Sequence, residues 1–295
     1  MKRLTMRGEL LLTLATLLAA LGWIASKRVI SGMPGDVFIA SRFLLASAIL
    51  LPFCYQQLRR LKVKEFAYIC GVGLMLAVSM QVWIAAVAVS SSLSEGAFIM
   101  SLAMIFAPFT AWLLFKKTPN RAFWRALPLA VIGMMLLTLT NGWQIEQSQW
   151  YFLLAAMLLS LHFVLNKKLI TRIKPLTSIC LQLFVVGVVG AISAFFSSTE
   201  PLALSHQVLA WFVVSIVAAT AIRYLLQTIG QSAIKMETAS LIMILEPIWT
   251  LLLSIAILGE QLELQKLIGG GVILLSLIVY IKLSKPRAGA LADKQ

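Results

Sequence analysis

The amino-acid sequence predicts an all-α membrane protein with ten transmembrane helices in two inverted five-helix repeats. Three observations carry that prediction. Apolar stretches long enough to cross a bilayer recur from Gly8 to Ile281, and a crossing helix needs roughly 20 residues for ~30 Å of hydrocarbon. Lys and Arg crowd one side of the implied membrane. A block in the first half returns in the second. The composition agrees: hydrophobic residues fill 60% of 295 positions, charged ones 12%, and mean hydropathy is +0.94, far from soluble usage.

The expected spans are Gly8–Ser26, Gly35–Phe53, Glu65–Ala86, Leu93–Phe115, Ala122–Thr140, Gln149–Leu169, Pro175–Phe196, Gln207–Ile229, Thr238–Leu258 and Lys266–Ile281. Turn residues punctuate them at Ser31-Gly32-Met33-Pro34-Gly35, Lys117-Thr118-Pro119-Asn120, Asn141-Gly142 and Ser197-Ser198-Thr199-Glu200-Pro201. No connection can hold a separate soluble domain, so the chain reads as one membrane domain. Met1-Lys2-Arg3 before an apolar run suits a secretory signal, yet no small-residue cleavage site follows; a retained first helix is expected.

Charge tests the topology. With ten spans and a cytoplasmic N-terminus, twenty of the 25 basic residues fall on the cytoplasmic side. Lys27, Arg28 and Lys266 fall outside, and Arg42 and Arg223 lie within spans. That is the positive-inside bias, and both termini are expected in the cytoplasm. The net charge of +14 then reports topology and affinity for anionic membrane lipids, with no nucleic acid implied.

Residues Leu10–Ile30 lie over Trp150–Ile170 at an offset of 140, with Lys27 over Lys167 and Ile30 over Ile170. Leu and Ala matches are cheap in a membrane chain, so the shared basic ending carries the weight. Later landmarks follow: Pro34 with Pro175, Glu95-Gly96-Ala97 with Glu237-Thr238-Ala239, and Pro108 with Pro247. The expected units are 1–145 and 146–295. Five spans per unit set the second copy upside down, and inverted repeats meeting at the midplane are the architecture of secondary transporters.

Pro34, Arg42-Phe43 in the second span, Pro108, the run Thr238-Ala239-Ser240 to Leu245-Glu246-Pro247, and Leu258-Gly259-Glu260 stand in order along this frame. In that order they resemble the drug/metabolite transporter superfamily, EamA-type, over nearly the whole chain. The resemblance implies ten helices with both ends cytoplasmic and a central cavity lined by the first four helices of each half. It also implies that helices five and ten are peripheral, and that the partners are small metabolites, amino acids among them.

A charge at the bilayer centre costs about 2.5–3.5 kcal/mol on insertion scales, so Arg42, Arg223 and Glu246 should avoid lipid. Each either serves solute or gate in a wet cavity or forms a structural ion pair. Proximity of Arg223 to Glu246 is an expectation, and Glu246 is the candidate proton carrier if transport is proton-coupled. Pro108 and Pro247 are shape-setting kinks or hinges. Glu95 and Glu237 start helices, where capping favours a carboxylate; a gating contact, such as Glu95 with Arg42, is the alternative. His162 is a packed imidazole or a proton relay. Gln81, Trp83, Asn166, Gln182, Tyr224 and Gln227 offer amide and aromatic surface for a polar, partly apolar solute.

Gly187-x-x-Gly190 and Gly269-Gly270-Gly271 suit close helix packing. No Lys-Ser/Thr follows either, so neither is a phosphate loop and the chain does not drive transport with nucleotide by itself. Cys54, Cys70 and Cys180 lack metal spacing and read as free thiols; no metal or cofactor is expected. The expected function is a secondary transporter of small organic metabolites in a bacterial-type inner membrane, exporting rather than importing, as monomer or homodimer. A lipid-modifying enzyme would need clustered His, Asp or Ser at one face, which the sequence lacks. A non-transporting partner or flippase subunit is the standing alternative.

Overall fold

A computed structural model describes residues 2–90, 93–116, 118–138, 147–197, 202–259 and 264–284, and the described residues are helical with short connections. Hydrocarbon leaves backbone polar groups no partner but the chain itself, and this is why long apolar runs become helices. The first seven are α1 (Lys2–Val29), α2 (Gly35–Leu58), α3 (Val63–Val89), α4 (Leu93–Phe115), α5 (Arg121–Thr138), α6 (Gln147–Leu169) and α7 (Pro175–Phe196). They are followed by α8 (His206–Ile216), a π-helical turn at Val217–Ile222, α9 (Arg223–Ala233), α10 (Met236–Met243), α11 (Glu246–Leu258) and α12 (Leu264–Ser284). Among the described residues, eight stretches are long and apolar enough to cross a membrane: α1 to α4, α6, α7, His206–Ala233 and Met236–Leu258. The helices α5 and α12 stand where spans five and ten are expected. They pack on each other through the Ser276 hydroxyl on the Ala126 carbonyl at 3.1 Å and the Gln265 amide on the Leu136 carbonyl at 3.0 Å.

Two departures from uniform spans concern the second half. The eighth span widens into a π turn at Val217–Ile222, and the ninth is broken at Ile244–Leu245, so that α11 begins at Glu246 with Pro247 in its first turn. Proline has no N–H to continue the preceding helix but fits a first turn. Pro108, its counterpart in sequence, lies inside continuous α4. At its other end α11 stops on Gly259, whose φ of 72° is the left-handed cap that glycine adopts without Cβ strain.

Large apolar side chains cover the outside, as at Phe195 and Phe196, while Ser, Thr, Asn and Gln turn inward. The helices form two groups. In one, α3 packs on α6 and α7, and α4 packs on α6; in the other, α1 packs on α8, α9, α10 and α11, and α2 lies against α8 and the π turn. The seam between groups runs through α2 on α7 and α4 on α10 and α11. At α2–α7 the backbones approach so closely that a Cβ on Gly190 would meet the Ala40 backbone nitrogen at 2.8 Å, and one on Gly187 the Leu44 nitrogen at 2.7 Å.

Small residues are the means by which helices associate in lipid. Gly190→Ala is therefore expected to lower stability by about 1–3 kcal/mol, the usual cost of overpacking. Gly71→Ala, where nothing lies within 4 Å, should leave it level or slightly raised. Thermal unfolding of the two variants in detergent checks the contrast; equal midpoints would remove the close-packing account.

Candidate functional site

Helices of both groups send side chains to one point, where the groups face each other across a cavity of about 60 Å³. Trp23 comes from α1, Arg42 from α2, Trp83 from α3, Ser101 from α4, and Tyr224 and Gln227 from α9. Arg223 opens α9 and Glu246 opens α11. The wall carries four thioethers, Met80, Met100, Met104 and Met243, flexible and polarizable groups suited to an irregular apolar guest. Trp23 and Trp83 meet edge to face, with ring centroids 5.2 Å apart.

The charges are held unequally. The Arg42 guanidinium is buried and donates to the Thr220 hydroxyl, to Ser26 Oγ at 3.0 Å and to the Ala219 carbonyl at 3.2 Å. It also lies 5.3 Å from the Phe38 ring centroid and 5.5 Å from that of Phe43. Two of its acceptors belong to the π turn, whose altered hydrogen-bond spacing presents groups a regular helix keeps for itself. The Thr220 hydroxyl in turn donates to the Ser215 carbonyl at 2.7 Å. Among the described residues Arg42 is held by hydroxyls, a carbonyl and aromatic faces.

Arg223 and Glu246 are brought together, as expected, though loosely. Arg223 Nη2 stands 3.7 Å from Glu246 Oε2, and both side chains are mostly buried. Glu246 Oε1 accepts from the Trp23 indole N–H at 2.9 Å, and the first turn of α11 places the carboxylate at the positive end of a helix. The Arg223 guanidinium lies over the Tyr224 ring, 4.2 Å from its centroid, and its Nε has no hydrogen-bond partner among the described residues. An ion pair too long for a hydrogen bond, with a donor left over, can exchange partners.

Of the expected site residues, Arg42, Trp83, Arg223, Tyr224, Gln227 and Glu246 line this cavity. His162, Asn166 and Gln182 instead form a separate buried chain. Gln182 Oε1 is 2.8 Å from His162 Nε2, and its amide donates to Asn166 Oδ1 at 3.0 Å and Ser178 Oγ at 2.7 Å. The Asn166 amide donates on to Gln231 Oε1 at 2.9 Å. Such a network, once satisfied, fixes how α6, α7 and α9 meet. Gln81 lies off the cavity with its amide nitrogen unpartnered among the described residues. Glu95 falls in the first turn of α4, and its side chain lies outside the described residues, as do Lys117, Asn141-Gly142 and Glu260.

Sequence reasoning missed Trp23 as a site residue, the four methionines, Thr220 and Gln231. Gln231 fell beyond the expected end of the eighth span at Ile229, while the helix runs to Ala233. The methionines carried no signal, since thioethers are ordinary in an apolar helix.

A second, larger cavity of about 1080 Å³ is lined by Glu9, Pro108, Phe115, Lys167, Lys168, Lys235, Glu237 and neighbouring residues. On α4, Met100 and Met104 face the small cavity while Pro108, Ala111 and Phe115 face the large one, all on one helical stripe. One turn, about 5.4 Å, separates the two sets. The large cavity therefore lies on the lysine-rich side of the small one.

The profile of the EamA-like transporter family matches the chain twice, over residues 6–139 and 148–282. A protein of Archaeoglobus fulgidus (strain ATCC 49558 / DSM 4304 / JCM 9628 / NBRC 100126 / VC-16), known as an uncharacterized transporter, is 25% identical over 186 residues. That stretch covers 63% of this chain and 59% of the relative, less than two thirds of its length. A crystal structure described only as that of a protein shares the fold, with a TM-score of 0.77 over 94% of this chain and 99% of the other at 13% identity. Matched twice along most of its length by one profile, with a polar chamber where two helix groups meet, the chain belongs to the EamA-like transporter family.

Proposed function

We propose that this protein is a secondary transporter of a small organic metabolite of amino-acid type, working by alternating access between two inverted repeats. The observation that carries the proposal is a charged, aromatic and thioether-lined chamber one helical turn from the larger cavity. At about 60 Å³ the chamber is well short of the ~300 Å³ of ordinary ligand pockets. A solute fits only if the helix groups move apart, which is the motion alternating access requires.

The packing supports the inversion. The association of α3 with α6 has its counterpart in α9 with α1, and that of α4 with α6 in α10 and α11 with α1. By the positive-inside bias the face of the larger cavity is cytoplasmic, in a bacterial inner membrane, with both termini on that side. Export is the direction we assign, on family resemblance. In a proton-coupled cycle, Glu246 is the group that would carry the proton. A carboxylate on the solute would suit the spare donor of Arg223, and an apolar body would suit the methionines.

Counterflow in proteoliposomes tests the proposal. Uptake of a radiolabelled apolar amino acid should be accelerated by the same solute trapped inside, and Glu246→Gln should lose the acceleration. Absence of trans-stimulation across a broad metabolite panel, with scrambling of labelled lipid instead, would replace the transporter with a flippase component.

A further inference from the structure

The repeat pairs Lys27 with Lys167, and the structure places both in the last turn of their helices, α1 and α6. Lys27 Nζ donates to the carbonyls of Ser90 at 3.1 Å and Val87 at 3.5 Å. Lys167 Nζ donates to the carbonyls of Ile234 at 2.6 Å, Ser232 at 3.5 Å, and Gln231. Val87 and Ser90 are the third-last residue and the cap of α3; Gln231 and Ile234 are the third-last residue and the cap of α9. Each lysine therefore meets the same positions of an α-helix C-terminus, where carbonyls lack helical partners and the dipole is negative.

Neither is a cap supplied from within its own helix group. Lys27 reaches from α1 to α3, and Lys167 from α6 to α9, so each bond crosses between the two groups in opposite senses. Toward the centre of the molecule α1 and α3 also meet through Trp23 and Trp83, and α6 and α9 through Gln231, which bonds Asn166 and the Phe163 carbonyl; at the helix ends the lysines make the crossing. They also stand at opposite membrane faces. Gly8 near the start of α1 packs on Ala233 and Ile234 at the end of α9, while Lys27 ends the same helix. Nineteen residues at 1.5 Å each separate them by about 28 Å, close to the hydrocarbon thickness. Lys167, Ser232 and Ile234 form part of the larger cavity's wall, one turn beyond Gln227 of the central cavity.

We infer that Lys27 and Lys167 are twin latches, one per face, whose bonds to backbone carbonyls hold the helix groups together and set which face opens. The inference rests on the alternating-access proposal. A compact, strongly hydrated ammonium on a flexible stem can exchange helix carbonyls for water as a face opens. The acceptors are main-chain atoms at one cap geometry, so the same device serves both faces of an inverted pair. With both latches formed, the central chamber is small.

A reporter in the chamber reads the latches directly. Ser101→Cys is placed in a chain with Cys54, Cys70 and Cys180 replaced by alanine, and a membrane-impermeant maleimide is applied to vesicles of each orientation. Lys27→Met should raise labelling from the Lys27 face and lower it from the other, shifting the ratio about tenfold, the worth of a charged hydrogen bond or two. Lys167→Met should shift it about tenfold the other way. The milder pair Lys27→Gln and Lys167→Gln should move it in the same two senses by a smaller factor, and decides the matter where a methionine variant does not reach the membrane.

Opposite shifts support the latches. Equal shifts at both faces, or none, overturn them and leave plain helix caps. Labelling needs no identified solute, so failure of the latches is seen here, and failure of transport is seen separately in counterflow.

Discussion

Glu246→Leu is expected to destabilise the protein by about 3–5 kcal/mol, the cost of leaving one member of a buried ion pair without its partner. The change strands the mostly buried Arg223 guanidinium, whose Nη2 stands 3.7 Å from the carboxylate, and removes the acceptor of the Trp23 indole N–H. Arg223→Leu should cost a similar amount, because the carboxylate then keeps only that indole and the start of α11. The double replacement should be far milder than the sum, since an apolar pair of similar size leaves no charge in a low-dielectric site. Thermal unfolding in detergent, followed by circular dichroism as a double-mutant cycle, measures the coupling. Single effects below about 0.5 kcal/mol that simply add would show the two groups to be independent. The stable double variant should still fail in counterflow, which separates holding the fold from handling solute.

Arg42→Lys should be worse than Arg42→Met. The guanidinium spreads its donors over the Thr220 hydroxyl, Ser26 Oγ and the Ala219 carbonyl while lying between two phenylalanine rings. A lysine keeps the buried charge but cannot reproduce the planar fork, so about 3 kcal/mol or more should be lost. Methionine removes the charge and leaves the former partners largely satisfied. Ser26 still bonds the Gly22 carbonyl at 2.6 Å and Thr220 the Ser215 carbonyl at 2.7 Å, leaving mainly the Ala219 carbonyl short of a donor. A cost of about 1–2 kcal/mol follows. The order of the two unfolding midpoints is the measurement. Lysine matching wild type would mean that charge alone matters there and that the π turn is no designed receptor.

Much of the architecture was legible beforehand, for a reason tied to the solvent. Lipid demands long apolar helices, and their lengths survive in the sequence as hydropathy; the α3, α6 and α7 boundaries lie within a few residues of the spans expected. Intramembrane charges are costly enough to stand out, which is how Arg42, Arg223 and Glu246 were found and why all three prove to line the chamber. The polar neutral residues were less legible. Gln227 and Gln182 look alike in sequence, yet one faces the chamber and the other anchors a buried amide chain with His162 and Asn166.

The two prolines show another limit. Pro108 and Pro247 align as counterparts, but the first sits inside an unbroken helix and the second starts a new one. A local motif sets what a backbone can do, and packing against neighbouring helices selects what it does. The π turn at Val217–Ile222 belongs to the same category: its Ala219 carbonyl and Thr220 hydroxyl gain their worth from an arginine on another helix, 177 and 178 positions away.

The linear chain by itself determined that this is a helical membrane protein, where its main apolar helices run and which charges must hide from lipid. These are properties of each segment's own transfer from water to hydrocarbon, summed residue by residue. Tertiary structure alone decided which polar groups meet in the chamber, that each Arg42 nitrogen finds an acceptor while Arg223 Nε has none among the described residues, and that Lys27 and Lys167 reach across to caps of the opposite group. Those outcomes depend on distances between segments far apart in sequence, and hydropathy, being a property of single stretches, contains no distances.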